Sequence, residues 1–287
     1  MKLFVTGGCG FIGSAFIRLT IEDSPDIEIL NFDSLTYAGN PENLATVNGN
    51  KRYSLVKGDV TDPEVLDRTV AEWQPDAIIH FAAESHVDRS IISPQPVVET
   101  NFNGTFHLLE AARKHKVPRF LQVSTDEVYG SIDKPAKADE TYPLRPSSAY
   151  SASKASADLL ALAYHKTYKL DVVITRASNN YGPYQFPEKL IPLMISNALE
   201  NRSLPVYGDG TNIRDWLWVD DHCRAIQAVL GSGRCGEIYN IGGNCSLSNI
   251  DVVSKILEAV KRPETLITKI KDRPGHDQRY AITTEKV

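Results

Sequence analysis

Two sets of residues in this chain suit proton transfer: the adjacent carboxylates Asp126 and Glu127, and Tyr150 four residues before Lys154. Neighbouring carboxyls in unlike surroundings can divide their roles, one staying protonated as an acid and the other ionised as a base. Tyr-x-x-x-Lys within a segment of helical period puts phenol and ammonium on one helix face, where both reach one ligand. A phenol that ionises near neutrality must fall about 3 units below its reference value of about 10, a preference of about 4 kcal/mol. One ammonium about 4 Å away, at an effective dielectric near 20, gives about that much. Lys154 is therefore expected beside the Tyr150 oxygen, lowering it. Taken alone, the acidic pair would read as a solvated loop and the Tyr/Lys pair as an exposed helix face.

A third set is built to hold phosphate. Thr6-Gly7-Gly8-Cys9-Gly10-Phe11-Ile12-Gly13 falls between a strand and a helix and matches Gly-x-x-Gly-x-x-Gly from Gly7. Such a turn needs φ > 0 and bare backbone for a pyrophosphate, which then faces the N–H groups opening the helix. Asp33, 20 residues after Gly13, ends the second strand, where a carboxylate accepts hydrogen bonds from an adenine ribose. No Arg or Lys lies between Asp33 and Asn40, so a 2′-phosphate would meet repulsion, and NAD is expected over NADP. Asp59 and Val60 close the third strand and are placed at the adenine edge. The plainer alternatives are a structural tight turn for the glycines and an ordinary strand-end acid for Asp59.

The elements that must position these residues alternate along the chain. Strands are expected at 2–5, 27–32, 52–56, 77–80, 119–124 and 171–175, with helices at 11–21, 63–73, 97–115 and 147–168. Asp62-Pro63 reads as an N-cap followed by proline at the first helical position. This alternation predicts an α/β doubly wound parallel sheet covered on both faces. After residue 176 the prolines Pro183, Pro187, Pro192 and Pro205 cluster, and a helix (220–230) and a strand (237–241) read as additions to the same sheet. A last helix spans about 249–260. The expected division is a dinucleotide domain of 1–176 plus about 218–243, with a smaller interleaved lobe of about 177–217 plus 244–287.

Composition bounds the reading. The 287 residues are 42% hydrophobic and 23% charged with net charge −5, so a packed core forms and bulk charge does not favour nucleic acid. There is no apolar run long enough for a membrane span and no signal-peptide pattern. Cys9, Cys223, Cys235 and Cys245 include no Cys-x-x-Cys pair and read as small, mostly buried thiols of a reducing compartment, with the cytoplasm as the expected location. His80, His165 and His222 lack metal-ligand spacing. His80 reads as a packed strand end and His222 as a structural helix-start residue; no metal is expected.

Longer stretches carry a resemblance. On Phe81-Ala82-Ala83-Glu84-Ser85-His86-Val87-Asp88, Ser124-Thr125-Asp126-Glu127-Val128-Tyr129-Gly130, Asn179-Asn180-Tyr181-Gly182-Pro183, Phe186-Pro187-Glu188-Lys189-Leu190, Arg214-Asp215-Trp216 and Arg273-Pro274-Gly275-His276-Asp277, the chain resembles the extended short-chain dehydrogenase/reductases. The finer motifs are similar to those of the dTDP-glucose 4,6-dehydratases, from Lys2 to about Tyr280. The resemblance implies a Rossmann domain with NAD kept bound, dTDP-glucose as substrate, and loss of water to a 4-keto-6-deoxy sugar. It gives Tyr150 the carbon 4 hydroxyl proton, Glu127 the carbon 5 proton, and Asp126 the departing carbon 6 hydroxyl. Thr125 would hold the carbon 4 oxygen and Lys154 would tune Tyr150.

By the same resemblance the cofactor meets Gly7, Gly10, Phe11, Ile12, Gly13, Asp33, Ser34, Leu35, Thr36, Asp59, Val60, Phe81, Ala82, Ala83, Ser85, Thr100, Tyr150, Lys154 and Asn180. The sugar nucleotide meets Ser85, Thr125, Asn179, Glu188, Lys189, Leu190, Pro205, Tyr207, Arg214, Asn249, Arg273 and His276. Ser248 with Asp251 also reads as a helix cap beside Asn249. A homodimer on the helices 97–115 and 147–168 is implied. Family members continue past Arg279-Tyr280-Ala281, so a truncated end at Val287 is expected, and Cys9 stands where alanine is usual. The rival readings are another nucleotide-sugar 4,6-dehydratase, a 4-epimerase, which usually lacks the Asp-Glu pair, and a non-catalytic NAD-binding regulator.

Overall fold

The computed structural model describes residues 1–287. The first half of the chain runs β1 (Lys2–Thr6), α1 (Phe11–Asp23), β2 (Glu28–Asp33), β3 (Tyr53–Lys57), α2 (Pro63–Trp73), β4 (Ala77–His80), α3 (Val87–Ile92), α4 (Gln95–Val98), α5 (Gly104–Lys114) and β5 (Arg119–Thr125). The second half follows with α6 (Ala149–Tyr168), β6 (Val172–Ala177), β7 (Asn179–Tyr181), α7 (Leu190–Leu199), β8 (Leu204–Tyr207), β9 (Ile213–Trp218), α8 (Val219–Ser232), β10 (Ile238–Ile241), β11 (Ser246–Ser248), α9 (Asn249–Ala259) and β12 (Ile267–Ile270). Seven strands form one parallel sheet in the order β10-β6-β5-β4-β1-β2-β3. The order reverses between β1 and β4, and a crevice opens at such a point beyond the carboxyl ends of the strands.

Burial explains the layers. Every residue of β4 and β6 is buried, as expected for parallel strands covered on both faces. One core packs Phe16, Ile17 and Ile226 of α1 and α8 against the sheet; the other packs Leu66, Leu108 and Ala161 of α2, α5 and α6 against its opposite face. The Asp62 carboxylate accepts from the Glu64 and Val65 N–H groups at 3.1 Å, with Pro63 first in the helix. Capping boxes at Ser148/Ser151 and Ser248/Asp251 start α6 and α9.

The expected helix 97–115 is interrupted by one π-helical turn, Glu99–Asn103, joining α4 to α5. Such turns re-aim side chains within a helix. Here Thr100 reaches the crevice, and Asn101 binds the Glu84 backbone and the Ser153 hydroxyl. A three-stranded sheet, β11-β9-β7, and a pair, β12-β8, build the rest with α7 and α9, around Met194, Leu204, Val206 and Val253. Pro192 fits α7 because its missing N–H falls in the first turn, where no intrahelical acceptor exists.

The cysteines depart from expectation. Cys9 and Cys223 are buried, but Cys235 and Cys245 are exposed, because both sit in turns flanking β10, at the surface. All four are free thiols. No helix is long and apolar enough to cross a membrane.

Candidate active site

A cleft of about 380 Å³ lies along the carboxyl ends of the large sheet. Its floor is the glycine loop. Gly7 has φ +69°, and a Cβ there would meet the Ala82 backbone at 2.6 Å. A Cβ on Gly13 would fall 2.4 Å from the Gly7 carbonyl. Bare backbone is therefore obligatory at both positions, and the turn leaves a cradle at the start of α1. Asp33 is buried, with its two oxygens accepting from the Leu35 and Cys9 N–H groups at 2.8 Å. Burial raises its pKa against those two bonds, and none of the groups acting on it is a cation. Cradle and carboxylate fit a dinucleotide without a 2′-phosphate. Asp59 lines the cleft while its Oδ1 also accepts from Thr61.

β5 delivers the acids. Its last residue, Thr125, caps a 3-10 turn, Asp126–Tyr129, by accepting the Glu127 N–H at 3.2 Å. That turn buries the Asp126 carboxyl, whose Oδ2 has no partner. Burial and then neighbouring Glu127 hold Asp126 well above the usual carboxylate range, with Arg214 opposing. Glu127 is also raised by burial, but Arg214, Arg273 and Lys189 pull it back. The two carboxyls are thus unlike: one is an acid poised to give a proton, and the other is flanked by cations.

Tyr150 and Lys154 enter from the first turns of α6. Burial, then Glu127 and Asp126, push the Tyr150 phenol up. Lys154 does not oppose this as expected. Its ammonium donates to the Val123 carbonyl at 2.7 Å, and burial pulls it down to about 8 with Asp158 working against. The reason is local: the Val123 carbonyl of β5 lies beneath α6 and takes the ammonium's hydrogen bond. Behind Lys154, the buried Asp158 accepts from Arg176 at 2.9 Å and Ser124 at 3.0 Å, and Arg176 donates to Tyr129 at 3.0 Å. A buried ion pair of this kind ties α6 to β5 and β6 in one arrangement.

All five acid/base candidates line the one cleft, together with Gly7, Gly10, Phe11, Ile12, Gly13, Ser34, Thr36, Val60, Phe81, Ala82, Ala83, Ser85, Thr100, Asn179, Asn180, Glu188 and Lys189. Lys189 donates to the Ser85 carbonyl at 2.7 Å, and Glu188 accepts from Tyr37 at 3.2 Å beside His86 and Arg89. Eight expected residues stand outside the cleft wall. Leu35 packs on the core, Leu190 packs on the small-lobe core, and Pro205 sits in β8. Arg214 donates to the Asp277 carbonyl, and Arg273 pairs with Asp88 at 3.5 Å. Tyr207 donates to Asp88 at 3.0 Å, His276 bonds Asp272, and Asn249 opens α9 inside the capping box. Arg214 and Arg273 still reach Glu127 through their fields.

His222, expected as a structural helix-start residue, does stand in the first turn of α8, and it also faces the cleft. Its Nδ1 lies 2.8 Å from the Asn180 Oδ1, and its Nε2 has no partner. Asn180 Oδ1 can only accept, so Nδ1 carries the proton. Burial drives the ring down to about 3 and keeps it neutral. The available signal was the start of α8 directly after β9, which puts the helix N-terminus against β7.

Comparison with known proteins agrees with this geometry. A family model described as GDP-mannose 4,6 dehydratase matches residues 4–287. The dTDP-glucose 4,6-dehydratase of Streptomyces niveus is 50% identical over 291 residues, covering 100% of this chain and 86% of the relative. DesIV, a dTDP-glucose 4,6-dehydratase of Streptomyces venezuelae solved with NAD, superposes with TM-score 0.97 at 51% identity, covering 100% of this chain and 89% of that one. The UDP-glucose 4-epimerase of Thermus thermophilus, also solved with NAD, gives TM-score 0.92 at 30% identity, covering 100% and 91%. The fold is that of an extended short-chain dehydrogenase/reductase. Within that class the chain belongs to the nucleotide-sugar 4,6-dehydratase family.

Proposed function

We propose that this chain is a dTDP-glucose 4,6-dehydratase working with bound NAD, a hydro-lyase of deoxysugar synthesis. The observation that carries the reading is the unlike carboxyl pair Asp126 and Glu127 facing Tyr150 in one cleft. Bound NAD would supply what side chains cannot, taking hydride from sugar carbon 4 and returning it to carbon 6. The glycine loop, Asp33, Ser34, Thr36, Asp59, Thr100 and Asn180 would hold it, with Lys154 beside the nicotinamide end. Tyr150 takes the proton of the carbon 4 hydroxyl, with Thr125 holding that oxygen. The ketone so formed acidifies carbon 5, and Glu127 removes its proton. Asp126 protonates the carbon 6 hydroxyl, which leaves as water, and Glu127 later gives a proton back to carbon 5. Tyr150 must ionise more readily on the way, which the Lys154 ammonium, with N–H groups to spare beyond the one on the Val123 carbonyl, would favour.

Incubating the protein with dTDP-glucose and NAD should give a product one water lighter without lasting accumulation of reduced cofactor. An unchanged mass with inverted carbon 4 would make the protein an epimerase, and cofactor binding without turnover would make it a regulator. We assign 1–176 with about 218–243 to the NAD domain, and 177–217 with 244–287 to the sugar-nucleotide lobe. A reducing compartment, the cytoplasm, suits its four free thiols.

The chain is expected to pair with itself through α3 to α6. Ile92, Val98, Phe106 and Leu159 are exposed there, Leu159 at 58%, and such a patch marks an interface. Leu159→Glu combined with Phe106→Glu should halve the solution mass. A wild-type protein with the mass of one chain would remove the dimer.

A further inference from the structure

Glu127 is asked to act as a base, yet one protein group only lies within hydrogen-bonding reach of its side chain. That group is the hydroxyl of Tyr280, 3.5 Å from Oε2. Tyr280 lies on the last stretch of chain, where its N–H donates to the Ile213 carbonyl of β9 at 3.2 Å. It is buried, and the Arg214 guanidinium stacks on its ring 4.2 Å from the centroid. The same hydroxyl donates to Asp277 Oδ2 at 2.8 Å. Asp277 in turn accepts from the Ser147 hydroxyl, just before α6, and its carbonyl accepts from Arg214 and Asn212. One phenol therefore stands between two carboxylates, fixed by three separate elements.

We propose that Tyr280, held by Asp277, is a positioning residue for carbon 5 proton transfer, setting the direction of Glu127 and receiving its hydrogen bond once it is protonated. The proposal rests on the dehydratase reading above. A base works when its own orientation is fixed by a further group. A phenol has one proton to donate, and the shorter bond gives that proton to Asp277. Glu127 is therefore steered without losing its basicity to a strong donor. When the carbon 5–hydrogen bond breaks, the electron pair goes into the carbonyl system and the proton stays on Glu127. Glu127 O–H can then donate to the Tyr280 oxygen while Tyr280 goes on donating to Asp277. No proton leaves this chain of three groups, so the one taken from carbon 5 is at hand for its return.

The test is Tyr280→Phe in the NAD-loaded enzyme, which keeps the buried ring under Arg214. With dTDP-glucose, kcat should fall about 10–100-fold, part of the range for a general base, with KM nearly unchanged. Solvent deuterium should enter carbon 5 more slowly by the same factor. The acid limb of the kcat profile should move to lower pH, because a protonated Glu127 that loses the acceptor of its hydrogen bond gives up its proton more readily. The other charged or titratable groups facing Glu127 (Asp126, Tyr150, Lys189, Arg214, Arg273 and Asp277) stay in place. Should Tyr280→Phe not fold, Asp277→Asn reads the same limb with the phenol retained, and the shift should have the same sign. An active wild type beside a variant with unchanged limb and exchange overturns this proposal alone. A wild type that leaves dTDP-glucose intact overturns the dehydratase reading and this proposal with it.

Discussion

Glu127→Gln should lower the dehydration rate about 10²–10⁴-fold, the range for removing a positioned general base, while exchange of label at sugar carbon 4 continues. Gln keeps the shape of the side chain and its place at the end of β5, so the glycine loop and Asp33 are untouched. What it loses is the ability to take a proton. Arg214, Arg273 and Lys189 oppose the burial that raises Glu127, and this makes it the carboxylate of the pair more readily ionised at neutral pH. The rate should therefore rise with pH along an acid limb set by Glu127, and the variant should lack that limb. Carbon 4-deuterated substrate followed by mass spectrometry separates the two steps. If turnover of Glu127→Gln stays within about threefold of wild type, far below the general-base range, Glu127 is not the base.

Much of the scaffold could be read from the chain, because its signals are local. Asp62-Pro63 fixes the start of α2, and β4 coincides with the apolar run Ala77–His80. The smaller sheets could not be read. β8 finds its partner β12 some sixty residues later, and its Pro205 argues against a strand. The site shows the same division. Gly7 through Gly13 and Asp33 carry their chemistry in spacing, whereas Tyr150 and the Asp126-Glu127 pair read as functional only beside that loop and the resemblance of the stretches around them. Which of the two acids keeps its proton depends on Lys189, Arg214 and Arg273, which are brought from remote segments. The expected Lys154–Tyr150 contact failed for a similar reason, since the competing Val123 carbonyl belongs to another element. His222 is a side chain whose meaning comes only from Asn180 across the cleft.

Asp126→Asn should do two opposite things: abolish the acid step and make the folded protein more stable above neutral pH. Asp126 is buried with Oδ2 unpartnered, and burial, then Glu127, raise its pKa well above the usual range. The sign follows from linkage. Below the unfolded value of about 3.9, the group is neutral in both states and contributes nothing. As pH rises past that value the unfolded chain ionises while the folded one holds its proton, so stability falls up to the folded pKa and stays lower beyond it. Asn cannot ionise and escapes that loss. The variant should gain about 1 kcal/mol near pH 8, as is common when a strained active-site group is relieved, or about 2–4 °C in Tm. The gain should vanish near pH 4. Dehydration should drop about 10²–10⁴-fold, because no group is left to protonate the leaving hydroxyl. Thermal melts of the NAD-loaded pair across pH 4–8, beside turnover at pH 8, check both halves. An inactive variant whose stability relative to wild type is no greater at pH 8 than at pH 4 would mean that Asp126 ionises as readily in the folded protein as in the unfolded chain. The acid would then have to be sought among the other groups lining the cleft.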